Sequence, residues 1–192
     1  MYDAVQDPYC YEGASILKNI PGIRDQLALD EFEAAITKQR ADEPLPPGRL
    51  SVSHYQAVHR HLFQDVYSWA GRFRTVRIGK DGSAFCYPEN IEREMKQLFL
   101  ILKGKRYFRG IDRDALITEA TAFLSTLNAI HPFREGNGRT QTIFLTLIAA
   151  QAGHPFDLDK LDPDAFLSAM VSSFKGDEHP LEQQLRLLMP SE

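Results

Sequence analysis

His131-Pro132-Phe133-Arg134-Glu135-Gly136-Asn137-Gly138-Arg139 is the stretch on which the reading of this chain turns. It sets a histidine, a carboxylate, a Gly-Asn-Gly run and an arginine directly before a predicted helix. Gly136 and Gly138 open backbone conformations closed to other residues. Successive amide N–H groups in such a turn form an anion-binding concavity, and the N-terminus of the next helix adds positive potential. A phosphate chain suits that place. Glu135 can hold Mg²⁺ against phosphates, because Mg²⁺ prefers one or two carboxylates plus substrate oxygens. Arg139 can clamp a phosphate oxygen through charge-assisted hydrogen bonds. His131 is the loop's base near neutral pH, suited to take a proton from an attacking hydroxyl. Phe133, apolar in mid-loop, pins the loop to the core. A capped turn is the plainer reading of the glycines alone, and a histidine beside proline is commonly structural; the full combination is more specific than its parts.

Helices are predicted on both sides of this loop. Asp112 caps one with Leu116, Ala120, Phe123 and Leu127 on a single face, and the one after the loop carries Ile143, Phe144, Leu147 and Ile148 up to Gly153. Further out, Pro88 opens a helix through Leu102, and two more span Asp164–Phe174 and Leu181–Met189. Toward the N-terminus, Asp25–Arg40 is helical with Leu27, Leu29, Phe32, Ala35 and Ile36 as its apolar positions. Ser53-His54-Tyr55-Gln56 matches a capping box and starts a helix running to Trp69, before Gly71. Glu43–Gly48, with three prolines, is a connector, and residues 1–24 form an irregular arm. Only at Phe73–Ile78 does the period change to two. With Lys80-Asp81-Gly82-Ser83 as the turn and Ala84–Tyr87 returning, this predicts a hairpin over about 73–87. The chain reads as all-α with one small hairpin, a single domain over residues 1–192.

Composition narrows the function. The 192 residues are 43% hydrophobic and 25% charged, and 26 acidic against 22 basic side chains give a net charge of −4. That balance argues against sequence-independent nucleic-acid binding, which needs a basic field. No apolar run approaches the ~20 residues that cross a bilayer, so no membrane span is expected. Two cysteines, Cys10 and Cys86, make no disulfide scaffold, and the start lacks a secretory signal, so a cytoplasmic setting is expected.

His131 through Arg139 resembles, without a gap, the Fic family signature His-Pro-Phe-x-(Asp/Glu)-Gly-Asn-Gly-Arg. Asp7-Pro8-Tyr9, Val66-Tyr67-Ser68-Trp69-Ala70-Gly71 and Leu127-Asn128-Ala129-Ile130 are similar to further landmarks of that family. The resemblance implies a mainly helical fold and transfer of AMP from ATP to a hydroxyl of a target protein, in a toxin-like or effector-like setting. By it, His131 deprotonates the target Ser, Thr or Tyr, Glu135 positions Mg²⁺, Gly136, Asn137 and Gly138 cradle the phosphates, and Arg139 binds them. It also makes the hairpin a flap over the nucleotide, with Ile78, Gly79 and Lys80 docking the target by main-chain pairing.

One position departs from the family. Thr142 stands where the extended motif has a second arginine, which binds the γ-phosphate and receives an inhibitory glutamate. Weakened or altered ATP binding, preference for another nucleotide or phosphate-containing donor, and an impaired transferase serving as a binding partner all remain open. The family's inhibitory (Ser/Thr)-x-x-x-Glu-(Gly/Asn) is absent: Glu12-Gly13, Glu89-Asn90 and Glu135-Gly136 have Pro8, Phe85 and His131 four residues earlier. That fits a separate antitoxin supplying the glutamate, or a domain cut from a longer effector delivered into a host cell.

Other chemistry-bearing residues read as structural. His59 and His61 point to different helix faces, the wrong spacing for zinc. His54, His154 and His179 are surface or capping residues, and Cys86 has no activating neighbour. Arg72, Arg74 and Arg77 line the flap or meet an acidic partner. Leu98, Phe99, Ile101 and Leu102 form a core stripe.

Overall fold

A computed structural model describes residues 7–80 and 83–189, without the side chains of Lys80 and Ser83. The turn residues Asp81 and Gly82 and the first six residues of the arm lie outside the described residues. The fold is mainly helical, and the chain divides into two compact units. No helix among the described residues is long and apolar enough to cross a membrane.

The first unit comprises residues up to Glu92 together with Pro132–Thr140. Its helix α1, Gln26–Ala41, begins where the Asp25 carboxylate accepts the Ala28 N–H at 2.9 Å. The buried positions of α1 are Leu29, Glu33 and Thr37, one face at i, i+4, i+8. The expected apolar stripe is thereby corrected: Leu27 is 66% exposed, while a glutamate and a threonine face inward. Helix α2, Val52–Phe63, packs on α1. Its cap is Ser51, whose hydroxyl accepts the His54 N–H at 3.2 Å, and Ser53 lies inside the helix. The helix also stops at Phe63 rather than Trp69. The chain turns back so that the Gly71 N–H reaches the His59 ring, and a helix continued to Trp69 would forbid that.

The hairpin is shorter than its sequence pattern suggests. Strand β1, Gly79–Lys80, pairs antiparallel with β2, Ser83–Ala84, in the register Gly79↔Ala84 and Lys80↔Ser83. Residues 73–78 are not in a ladder. They are held instead by Arg74, whose buried guanidinium donates to the carbonyls of Val76 (2.7 Å) and Cys86 (2.6 Å). Arg74 therefore braces both arms from inside, and of the three arginines it is not a surface charge.

Pro88–Gly104 forms α3, running from the first unit into the second. The second unit comprises residues 93–131 and those from Gln141 onward. Its α4, Arg113–Ile130, is capped by Asp112 as expected, and packs with α6, Pro163–Phe174, and α7, His179–Leu187. Along α3, Leu98, Phe99 and Leu102 are buried but Ile101 is 51% exposed, so the expected core stripe holds at three of its four positions. Helix α5, Asn137–Ala152, starts in the first unit and continues in the second, ending before Gly153 at φ +98°.

Candidate active site

His131 terminates α4 in the left-handed conformation, φ 48° and ψ 62°, with its N–H bonded to the Leu127 carbonyl. Its Nδ1 lies 3.3 Å from the Asn128 carbonyl oxygen. A carbonyl only accepts, so Nδ1 carries the proton and the basic lone pair belongs to Nε2. Asn128 is itself fixed, donating its amide to the Met170 carbonyl at 3.0 Å. A left-handed histidine is a sparsely populated state, the kind that persists where surrounding structure demands it.

The loop that follows is built against the first unit's own residues. Phe133 is fully buried and stacks on Tyr55 and on His59, with ring centroids 5.4 and 3.7 Å away. It pins the loop as its sequence position suggested. Asn137 uses both ends of its amide on one residue, accepting the Phe133 N–H at 2.9 Å and donating to the Phe133 carbonyl at 2.8 Å. Its side chain shapes the loop, so any nucleotide contact of Asn137 falls to its backbone. Gly136 sits at φ +79°, and a Cβ there would lie 2.3 Å from the Phe63 ring. Nothing lies within 4 Å of a Cβ at Gly138, by contrast. Arg134, side chain 4% exposed, donates to Asp7 at 2.6 Å. The ion pair joins the N-terminal arm to the loop.

Glu135 and Arg139 are the loop's accessible charges. One Glu135 carboxylate oxygen accepts the Gly136 N–H at 2.8 Å and lies 3.9 Å from the Arg139 Nη2. Burial, reinforced by the nearby Glu33 carboxylate, pushes the Glu135 carboxyl above its usual range, against the opposing pull of Gly136, Arg139 and Arg134. Arg139 donates to Glu33 and, at 3.2 Å, to Thr37. The described residues hold no group of three or more acidic, histidine or cysteine ligands. A partly exposed carboxylate beside a glycine turn at a helix start fits Mg²⁺, which prefers one or two carboxylates and completes its shell with other oxygens. Thr142 is half-buried in the second turn of α5.

Residues 78–80, expected to dock a target, begin the hairpin; the Ile78 side chain is buried and its carbonyl accepts the Phe85 N–H. Sequence reasoning missed His59. Its Nδ1 accepts the Gly71 N–H at 2.8 Å, so Nε2 carries the proton and donates to the Glu135 carbonyl at 3.0 Å. Burial lowers this imidazole to about 3, and it stays neutral. The available signal was the aromatic run Tyr55, His59, Phe63 at spacing four. His54 also proves buried rather than on the surface, bonded to the Pro46 carbonyl and the Leu50 N–H. Glu33 was missed as well; its signal was a carboxylate at a core-facing position of α1.

Residues 49–149 match the Fic/DOC family. The protein y4lH of Sinorhizobium fredii, named "Probable protein adenylyltransferase", is 50% identical over 98% of this chain and 98% of its own length. Protein adenylyltransferase VbhT of Bartonella schoenbuchensis is 34% identical over 96% of this chain, which spans 39% of VbhT. Among solved structures, the N-terminal Fic domain of an effector from Bartonella sp. AR 15-3 has a TM-score of 0.86 at 27% identity, covering 94% of this chain and 90% of that one. A Fic domain from Bartonella quintana, solved with bound ADP, has a TM-score of 0.84 at 27% identity, with 96% and 95% covered. Family match, full-length relative and fold agree, and the chain belongs to the Fic/DOC family.

Proposed function

We propose that this chain is a protein adenylyltransferase, moving AMP from ATP to a hydroxyl side chain of a target protein. The observation that carries the reading is the proton arrangement at His131. With Nδ1 protonated against Asn128, Nε2 is the atom that accepts the hydroxyl proton. The freed oxygen attacks the α-phosphorus, a P–O bond forms, and the bond to the leaving pyrophosphate breaks. The Gly136–Gly138 turn and the start of α5 receive the phosphates, and Arg139 binds them with guanidinium donors not engaged by Glu33 and Thr37. Glu135 would hold Mg²⁺, which supplies charge neutralisation on the phosphates. The ADP-bound Bartonella quintana domain and the adenylyltransferase relatives support the same nucleotide class.

The short hairpin from Ile78, Gly79 and Lys80 serves as the flap that registers the target segment through main-chain hydrogen bonds. A small antitoxin supplying a glutamate is the proposed regulator, a reading supported by the missing (Ser/Thr)-x-x-x-Glu-(Gly/Asn) motif in the sequence given. Two cysteines, Cys10 and Cys86, make no disulfide scaffold, which supports a reducing, cytoplasmic setting, in the producing cell or in a host receiving a longer effector.

The test is mass spectrometry of a cell lysate incubated with the protein and labelled ATP. An AMP adduct that disappears in His131→Ala while ATP binding persists supports the assignment; residual transfer with ATP binding lost removes it. Thr142 favours a second reading, a different nucleotide donor. Label entering from another nucleotide, but not from ATP, selects it.

A further inference from the structure

Glu33, on α1, is far from the catalytic loop in sequence but touches it in the fold. It is 8% exposed, and its two carboxylate oxygens have different partners. One accepts from the Arg139 Nη2, the other from the Tyr67 hydroxyl. One turn further along α1, the Thr37 hydroxyl donates to the Glu33 carbonyl at 2.7 Å, which leaves its oxygen to accept from the Arg139 Nη1 at 3.2 Å. The guanidinium carbon also lies 4.8 Å from the Phe63 ring centroid. Arg139 is thus held on three sides by the first unit, although its side chain is 39% exposed.

A guanidinium has five N–H donors, and these contacts engage two, so a held arginine still offers a phosphate its remaining donors in a set direction. Arg139 also lies between two carboxylates. Its Nη2 bonds Glu33 and stays 3.9 Å from Glu135, outside hydrogen-bonding distance. Without Glu33, the anion left beside that nitrogen is Glu135, and the loose 3.9 Å ion pair between them can close to a hydrogen-bonded one.

We infer that Glu33 is a positioning residue for transfer: it holds Arg139 off Glu135, so the guanidinium stays available to phosphate and the carboxylate to the metal ion. The inference rests on the phosphate role given to Arg139 above. Tyr67 is its support, keeping the buried Glu33 carboxylate satisfied and aimed.

The experiment compares the full chain with Glu33→Gln, Tyr67→Phe, Arg139→Ala and the double variant Glu33→Gln/Arg139→Ala. Transfer kinetics, ATP binding by calorimetry, the Mg²⁺ midpoint of activity and thermal melting are read for each. Glu33→Gln is expected to lower kcat/KM at least tenfold and to move the Mg²⁺ midpoint upward. Tyr67→Phe should do the same more weakly, and it serves as the test if Glu33→Gln does not fold. In the Arg139→Ala background Glu33→Gln should change kcat/KM by less than threefold, because its effect runs through the guanidinium. Tighter ATP binding in Glu33→Gln would overturn the proposal, showing that Glu33 competes with phosphate. So would an altered melting temperature with unchanged kinetics and Mg²⁺ midpoint, or independent effects in the double variant. If Arg139→Ala alone leaves ATP affinity intact, the phosphate role of Arg139 falls first, an outcome separate from any result at Glu33.

Discussion

His59 donates its Nε2 proton to the carbonyl oxygen of Glu135 at 3.0 Å, from a ring stacked 3.7 Å from Phe133. A buried, neutral imidazole therefore sets the backbone of the residue expected to carry the metal. Its titration has a definite sign. The folded value is lowered from 6.5 to about 3, so between those values the unfolded chain binds the extra proton. Stability from this group is complete above about pH 6.5 and declines as pH falls toward 3, by up to ~1.4 kcal/mol per pH unit. Urea unfolding of wild type and His59→Gln at pH 7.5, 6 and 5 checks this. The variant, lacking the titrating ring, should lose less stability on acidification, and parallel pH dependences would refute the assignment.

The buried Asp7–Arg134 pair makes a separate prediction. Both side chains are under 10% exposed, at 7% and 4%. Removing one charge takes the ion pair from the other in a poorly solvated place, at about 3–5 kcal/mol. Asp7→Ala should therefore unfold at clearly lower denaturant concentration than wild type. The double variant Asp7→Ala/Arg134→Leu should recover part of the loss, since it removes both members of the buried pair. Additive losses would mean the two side chains do not act as a pair.

Gly136 admits no side chain for two independent reasons: its φ of +79° and the Phe63 ring, which would stand 2.3 Å from an added Cβ. Gly136→Ala is expected to destabilise by ~1–3 kcal/mol from backbone strain alone. It should also abolish transfer, since the ring clash displaces the loop. Gly138→Ala, where nothing beyond its chain neighbours and its own helix backbone lies within 4 Å of the new methyl, should remain close to wild type in stability. Chemical denaturation of both variants tests the contrast; equal losses would contradict it.

Thr142 is half-buried on α5, so a longer side chain has a route to solvent. Thr142→Arg supplies a permanently charged fork where the γ-phosphate is expected. A charge-assisted hydrogen bond contributes ~1.5–3 kcal/mol, so ATP should bind roughly ten- to a hundredfold more tightly. Thermal melting with and without ATP reads this directly. A variant that melts lower and gains no ATP-dependent stabilisation would show that position 142 is packing.

Local chemistry was legible in the chain itself. Asp112 announces a helix start, because a cap needs only an acceptor and the amides within three residues. Gly153 announces an end through its positive φ, and the 131–139 run announces the site because its chemistry is contiguous. Where two local signals competed, the sequence misled: Ser53 matched the capping-box spacing, yet Ser51 took the cap. The alternation at 73–78 implied a ladder, but strand pairing depends on a partner, and there Arg74 substitutes for one.

What organises the site was decided only by tertiary contact. His59, Glu33 and Asp7 reach the loop across 76, 106 and 127 positions of sequence. Their local signals (the Tyr55, His59, Phe63 spacing, a carboxylate on the core face of α1, the Asp7-Pro8-Tyr9 landmark) do not name the loop as the partner. Sequence alone determined which residues could perform the chemistry, since that depends on functional groups and their spacing along the chain. Packing decided which of their atoms are protonated, paired or held apart, because burial and a partner's direction exist only once distant segments meet.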